Sequence, residues 1–399
     1  MFPLLFSLPT SFFALLLLFL LSYNAFTVFW IHVPKPLLIP PPTHPNLSSS
    51  LFIPVKQQTS PLFNNSYLPL ILNSSHTFFA PRSARVKKHK RGLTSVRSEP
   101  HFVPFHARLK AFFSANSSSC KLRFFITWLS PLKAFGEREL LSVESLFKSH
   151  PQACLLIVSN SLDSRAGTRI LRPFTSNGFK VMALAPDFNY IFKNTHAEVW
   201  FNRLKQGNVN PGEVSLGQNL SNLLRLVLLY KFGGIYIDAD VMVLKSFSKL
   251  RNTIGAQNLD AKTGKWTRLN NAVLIFDKKH PLLFKFIQEF ALTFDGNKWG
   301  HNGPYLISRV VSRVSGTPGF NFTLLPPSAF YPVDWRGITS LFTRPRDEFH
   351  SKWLVKKMEQ IHRESFALHL WNRQSRKLKV VKGSIVDSII SSCCIFCNN

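Results

Sequence analysis

Two carboxylates separated by one residue close a short apolar run, Gly233-Gly234-Ile235-Tyr236-Ile237-Asp238-Ala239-Asp240. Side chains alternate along an extended chain, so Tyr236, Asp238 and Asp240 are expected on one side, with Ile235 and Ile237 facing the core. Paired acids at the carboxyl end of a strand form a seat for a hard divalent cation. The chemistry that most needs such a cation is the departure of a nucleotide diphosphate, whose growing negative charge the metal neutralises as a Lewis acid. Asp-x-Asp alone is a weak signal. Its surroundings make it specific.

The approach to this seat reads as one helix. Ser215 and Gln218 fit a capping box, with Ser215 as N-cap. Leu220, Leu223, Leu224, Val227 and Leu228 form one apolar stripe, and Gly233 is the expected left-handed terminator. At about 100° per residue, Gln218, Asn222 and Arg225 share the opposite face. That face is either solvated or turned toward something polar.

Short apolar runs at Leu122–Trp128, Ala153–Ser159 and Lys180–Ala185 suit buried parallel strands. Helical stretches at Glu137–Ser149 and Ser164–Ser176 separate them, closed by Pro151 and Gly178. This alternation predicts an α/β nucleotide-binding layout, with ligands beyond the strand carboxyl ends, where Trp128 and the acid pair both fall. No glycine-rich phosphate loop is present, so a metal must carry more of the diphosphate charge. Further on, helices are expected over Leu282–Phe294 and Tyr305–Val314, and strands over Phe320–Leu325 and Phe366–Leu370.

The run from Asn219 to Arg225 and the run from Leu229 to Asp240 together resemble the signature of the α-1,4-glycosyltransferases, the family of lactosylceramide galactosyltransferases and α-1,4-N-acetylglucosaminyltransferases. The likeness continues through Leu269–Phe276, Trp299–Pro304, Leu325–Pro332 and His369–Asn372, and spans roughly residues 122–397. Asn222 stands where the family commonly has Asp, which leaves the donor sugar open, and Ala239 replaces Thr or Leu. The resemblance implies a glycosyltransferase-A fold, a Rossmann-like nucleotide-diphospho-sugar transferase. It also implies transfer of galactose or N-acetylglucosamine from a UDP-sugar to a glycan or glycolipid hydroxyl, with retention of anomeric configuration. A C-terminal histidine, His369, is implied as a third metal ligand; the other reading is a structural histidine in a strand. Two carboxylates with one imidazole favour Mn²⁺ over Mg²⁺.

The expected catalytic set is Asp238, Asp240, Arg225 and Asn270, the last because related enzymes bring an amide to the sugar here, with Asn271 beside it. The expected donor-binding set is Trp128, Asn222, Arg225, Tyr236, Asp238 and His301. Trp128 would stack on base or ribose, or else pack in the core. Arg225 and Asn222 supply hydrogen bonds to sugar or phosphate. His301 and Asn302 either meet the leaving phosphate or acceptor, or only cap a turn. Asp334 is a remote candidate, and Asp295 is expected to be structural.

Composition sets the rest. Phe12 to Ile31 is 20 residues without a charge, long enough to span a bilayer, so residues 1–33 read as a signal-anchor rather than a cleaved signal peptide. Residues 34–118, rich in Pro, Ser and Asn, read as a largely disordered stem carrying 11 Lys or Arg against Glu99 alone. Its basic cluster at 82–91 reads as a solvated stem near an anionic membrane; no nucleic-acid partner is expected. Residues 119–399 form the catalytic domain, with a nucleotide-sugar half (119–250) and an acceptor half (251–399). The resemblance implies a single-pass type II Golgi membrane protein with a lumenal domain. Five cysteines allow at most two bridges and one free thiol, and Cys394 with Cys397 suits a terminal staple. Sequons at Asn46, Asn64, Asn73, Asn116, Asn219 and Asn321 permit glycosylation, Asn219 being the one expected to stay bare. Two rival readings are a GDP-mannose-dependent enzyme of the same fold and a catalytically inactive, membrane-tethered carbohydrate-binding protein.

Overall fold

The computed structural model describes residues 103–115 and 120–397. The expected anchor at 12–31, the basic cluster at 82–91 and the sequons at Asn46, Asn64, Asn73 and Asn116 lie outside these residues. Among the described residues, no helix is long and apolar enough to cross a membrane.

The described residues form nine strands: β1 Arg123–Thr127, β2 Cys154–Val158, β3 Lys180–Leu184, β4 Gly234–Ile237, β5 Val241–Val243, β6 Thr253–Leu259, β7 Trp266–Phe276, β8 Thr323–Leu325 and β9 Ala367–His369. The helices that matter here are α1 Phe105–Ala115, α2 Glu137–Ser149, α3 Arg165–Ser176, α4 Phe188–Phe192, α5 His196–Lys205 and α6 Leu216–Phe232. Then come α7 Pro281–Thr293, α8 Pro304–Val314, α9 Glu348–Glu364, α10 Asn372–Ser375 and α11 Ile385–Cys393. A seven-stranded sheet runs β3-β2-β1-β4-β7-β6-β8, and β5 with β9 makes a separate antiparallel pair. The strands β3, β2, β1 and β4 are parallel; β7 joins β4, and β6 joins β7, antiparallel.

The chain moves outward from β1 to β3, then returns through α6 to β4 on the other side of β1. This reversal opens a crevice beyond the carboxyl ends of β1 and β4, the place where open α/β sheets bind ligands. Register pairs Phe125 with Tyr236, so Thr127 comes level with Asp238. Apolar layers cover both faces. Phe125, Tyr236 and the α6 leucines share one with α7 and α8, while Phe124, Ile126, Ile235 and Ile237 share the other with α2 and α3.

The glycine pair has a steric cause. Gly233 has φ 66°, and a Cβ there would stand 2.7 Å from the Lys278 nitrogen; at Gly234 it would stand 2.5 Å from the Arg123 carbonyl. Gly233 ends α6, but with ψ 166° it is not the left-handed terminator expected. Nor does the Ser215 side chain cap α6; it makes no cap hydrogen bond, and Gln218 faces the crevice instead.

A helix with a buried face, α1, lies inside the segment read as stem. In α1, Phe105 and Leu109 are buried against the α6–α7 layer, and Arg108 pairs with Asp163 at 2.7 Å. The buried apolar face is only Phe105, Leu109 and Phe112, interrupted by Arg108 and Lys110, too short a pattern to stand out from the sequence. Disulfides join Cys120 to Cys154 and Cys394 to Cys397, leaving Cys393 free and buried. Leu109→Ala should lower the stability of the full chain by about 2–4 kcal/mol in urea denaturation, the usual cost of emptying a buried leucine site. An unchanged unfolding midpoint would mean that α1 is not part of the core.

Candidate active site

The acid pair lies on the turn that links β4 to β5, not within β4 itself. The Asp238 N–H donates to the Ala272 carbonyl of β7 (2.8 Å), and Val241 N–H closes the turn on Asp238 O (3.1 Å). The hydrophobic strand β5 then pairs antiparallel with β9, Val241 opposite His369. That register brings a residue 129 positions away beside Asp240. His369 Nε2 lies 3.3 Å from Asp240 Oδ1. Trp371, in the left-handed region (φ 53°), turns the chain so that Asn372 N–H donates to Asp240 Oδ2 (2.8 Å). Asp238, Asp240 and His369 thus offer ligand atoms within 4.8 Å of one another, a donor set that suits Mn²⁺ or Mg²⁺.

Asp238 is held from behind. The Tyr236 hydroxyl donates to Asp238 Oδ1 (2.7 Å), and Arg225 Nη1 reaches the same oxygen at 2.9 Å. Tyr236 is fully buried, so it cannot line a donor pocket as expected; it steadies a residue that does. Burial in the sheet, reinforced by Asp238, raises the Tyr236 pKa and keeps its hydroxyl protonated to donate. Arg225 is buried too. Desolvation opposes its charge, yet Asp238 outweighs this and keeps the guanidinium charged. Its remaining donors go to the Asn271 carbonyl (2.8 Å) and to Ser221, and its face lies 4.4 Å over the Tyr236 ring.

Burial also disfavours charge on both Asp240 and His369, but their mutual attraction and hydrogen bond prevail. Asp240 is held below the usual carboxylate range and His369 above the usual imidazole range.

A cavity of about 890 Å³ opens over these groups. Trp128, Asn222, Arg225, Asp238, Asp240, Asn270 and His369 are brought together in its lining, and Trp128 also packs in the core beside it. Asn271 Nδ2 donates to Asn222 Oδ1 (3.0 Å), and Asn270 Nδ2 to Gln257 Oε1 (2.9 Å), so the amides are fixed in place. His301 is not brought there: its Nε2 lies 2.8 Å from the Thr293 carbonyl, away from the cavity lining. Asn302 ties Asn219 to the Asp295 carbonyl, and Asp334 caps its own turn at Arg336 and Gly337. Asn219 is buried, which leaves no room for a glycan on the folded chain.

Among the described residues, six buried polar side-chain atoms lack a partner, and four belong to the cavity: Trp128 Nε1, Asn219 Nδ2, His369 Nδ1 and Asn372 Oδ1. Such groups are costly unless a ligand satisfies them. These unmet groups, beside the two carboxylates and the His369 imidazole, fit a metal-and-nucleotide site. Sequence reasoning missed Glu139, whose carboxylate braces Asn372 Nδ2 (3.3 Å), and the rim residues Arg268, Tyr305, Trp335 and Arg373. No local pattern marks them, because each meets its neighbours across long sequence separations.

Comparison with known proteins agrees with this geometry. Residues 136–260 match the model described as "Glycosyltransferase sugar-binding region containing DXD motif", and residues 275–399 match "Alpha 1,4-glycosyltransferase conserved region". Lactosylceramide 4-alpha-galactosyltransferase of Pongo pygmaeus is 30% identical, over 49% of this chain and 84% of its own length. The chain belongs to the α-1,4-glycosyltransferase family. An uncharacterized Arabidopsis thaliana protein is 31% identical over 70% of this chain, which spans only 43% of that relative's length. Among solved structures, the galactosyltransferase LgtC in complex with donor and acceptor sugar analogs aligns with 68% of this chain and 96% of its own, at 12% identity and a TM-score of 0.39.

The Asp240–His369 pair makes the stability of the metal-free chain depend on pH. A raised imidazole pKa contributes stability that is complete below about 6.5 and lost as pH rises through the folded-state value. A depressed carboxylate pKa contributes stability that is lost only as pH falls below about 3.8. His369→Gln should therefore destabilise the metal-free protein more at pH 5.5 than at pH 8.5. Equal urea midpoint shifts at the two pH values would contradict the pairing.

Proposed function

We propose that this family member transfers a hexose, galactose or N-acetylglucosamine, from a UDP-sugar to a carbohydrate or glycolipid hydroxyl, in α linkage and with retention. The convergence of Asp238, Asp240 and His369 at the crevice between β1 and β4 carries this reading. Family membership, the DXD region and the sheet order support a glycosyltransferase-A fold.

These three side chains would hold Mn²⁺ or Mg²⁺, which when bound supplies Lewis-acid stabilisation of the leaving diphosphate. Arg225 and Tyr236 fix the Asp238 carboxylate in one orientation, so no reorganisation is needed as charge develops. Trp128, at the end of β1, would form the wall for base or ribose, and its buried Nε1 has no partner within the chain. Asn222, Asn270 and Asn271 present fixed amides to the sugar. As the bond from the anomeric carbon to phosphate oxygen breaks, the acceptor oxygen bonds to that carbon, and its proton passes to the departing phosphate. On this reading the domain lies in the Golgi lumen behind the apolar segment at 12–31.

Asp240→Ala should lower metal-dependent transfer by about 10²-fold or more, the scale of losing one preorganised electrostatic group, while circular dichroism stays native. Wild-type turnover by a folded Asp240→Ala protein would refute the assignment. Binding of a cation at His369 must also displace its proton. Mn²⁺ affinity should therefore rise with pH up to the raised folded-state value of His369 and level off above it, and affinity that is flat from pH 5.5 to 8 would remove His369 from the ligand set.

A further inference from the structure

The mouth of the cavity has a composition that the donor does not explain. Among the described residues, the exposed large aromatics are Trp299, Tyr305, Trp335 and Phe349, and the first three all line this one cavity. Water-exposed aromatic faces gathered at an opening suit the apolar C–H face of a pyranose ring, which packs flat against them. All three are paired with arginine: Arg268 lies 4.5 Å over the Tyr305 ring, Arg373 lies 3.8 Å over Trp299 and Arg336 lies 5.0 Å over Trp335, and of these arginines Arg268 and Arg373 line the cavity. Stacking occupies the face of a guanidinium and leaves its in-plane N–H groups aimed outward, pre-organised for a planar, bidentate anion. Neither arginine has a carboxylate partner among the described residues.

Charge points the same way. The cavity lining carries four arginines, Arg225, Arg268, Arg373 and Arg376, against three carboxylates, Glu139, Asp238 and Asp240. A divalent cation with a doubly charged diphosphate adds nothing to this balance, so a loaded site keeps a surplus positive charge. Position separates the two stacked arginines. Arg373 follows Asn372, whose backbone touches Asp240, and so stands on the metal side. Arg268 lies on β7 four residues before Ala272, the contact of Asp238, and at ~3.3 Å per strand residue its backbone is about 13 Å further out.

We propose that Arg268, stacked on Tyr305 with Trp299 beside it, forms an acceptor subsite that selects a saccharide bearing a carboxylate, a uronic acid residue, with the arginine gripping that carboxylate. This rests on the glycosyltransferase reading and adds the class of acceptor to it. The anion could instead be the donor diphosphate, and the test separates the two.

Methyl β-glucuronide and methyl β-glucoside differ only in carboxylate against hydroxymethyl at one carbon. Their binding to the full chain loaded with Mg²⁺ and UDP can be compared by saturation-transfer NMR. The glucuronide should bind about tenfold more tightly, the scale of one charge-assisted contact. In Arg268→Gln this preference should vanish, and Arg268→Lys, which keeps charge without the planar fork, should recover part of it. Equal binding of the two glycosides by the wild-type chain would overturn the proposal, as would Gln and Lys variants that keep the full preference. Weaker Mg²⁺–UDP binding by Arg268→Gln would assign the anion to the donor and overturn it too. A wild-type chain that binds no Mg²⁺–UDP would sink the glycosyltransferase reading and this subsite with it.

Discussion

The pairing of Arg225 with Asp238 is the constraint around which the site is built. A guanidinium this deeply buried is tolerable only if its donors are met, and here they are met by a carboxylate, a backbone carbonyl, and both the hydroxyl and carbonyl oxygens of one serine. Those partners come from α6, β7 and the β4–β5 turn, so one side chain fastens three elements at the point where the sheet order reverses. The Thr127 hydroxyl, bonded to both Ser221 and Tyr236, ties β1 into the same knot. Asp238 is then a fixed object rather than a mobile surface acid.

The second half of the site depends on a different part of the chain. Strand β5 is only three residues long, and it is kept in place by β9 and by the small apolar cluster that Met242 shares with Leu368 and Leu370. This cluster, closed over by α9 and α11, is what lets His369 reach Asp240. The cavity therefore spans two cores: a rigid sheet that fixes Asp238, and a C-terminal module that supplies His369, Asn372 and Arg373. The Arg373–Trp299 stack joins that module to the loop before α8.

Much of this was readable in the sequence, for identifiable reasons. The bounds of α2 coincide with the expected Glu137–Ser149, because acidic residues open it and a lysine and proline close it. The buried strands β1 to β3 declared themselves as apolar runs between turn residues. The face that carries Asn222 and Arg225 could be recognised as polar opposite a leucine stripe, but whether it met solvent or a polar site was decided only by the fold, which turns it to the cavity. Tyr236 was misplaced because β4 is covered on both faces, so alternation separates two cores rather than core from solvent. His301 follows a tryptophan-glycine turn that suggests a site, yet its ring is spent on a helix-end carbonyl. Arg268 and Arg373 were invisible because an arginine over an aromatic ring leaves no trace until the two segments meet.

On the proposed reading, Asp238, Asp240 and His369 jointly hold a divalent cation against a sugar nucleotide. Anomalous diffraction at the manganese edge, from crystals of the protein grown with Mn²⁺ and UDP, tests it most directly. The account predicts a single strong peak in the crevice between β1 and β4, at direct-ligand distance from all three side chains and bridged to the diphosphate oxygens. A peak elsewhere, or bound UDP with no ion touching either aspartate, would contradict it.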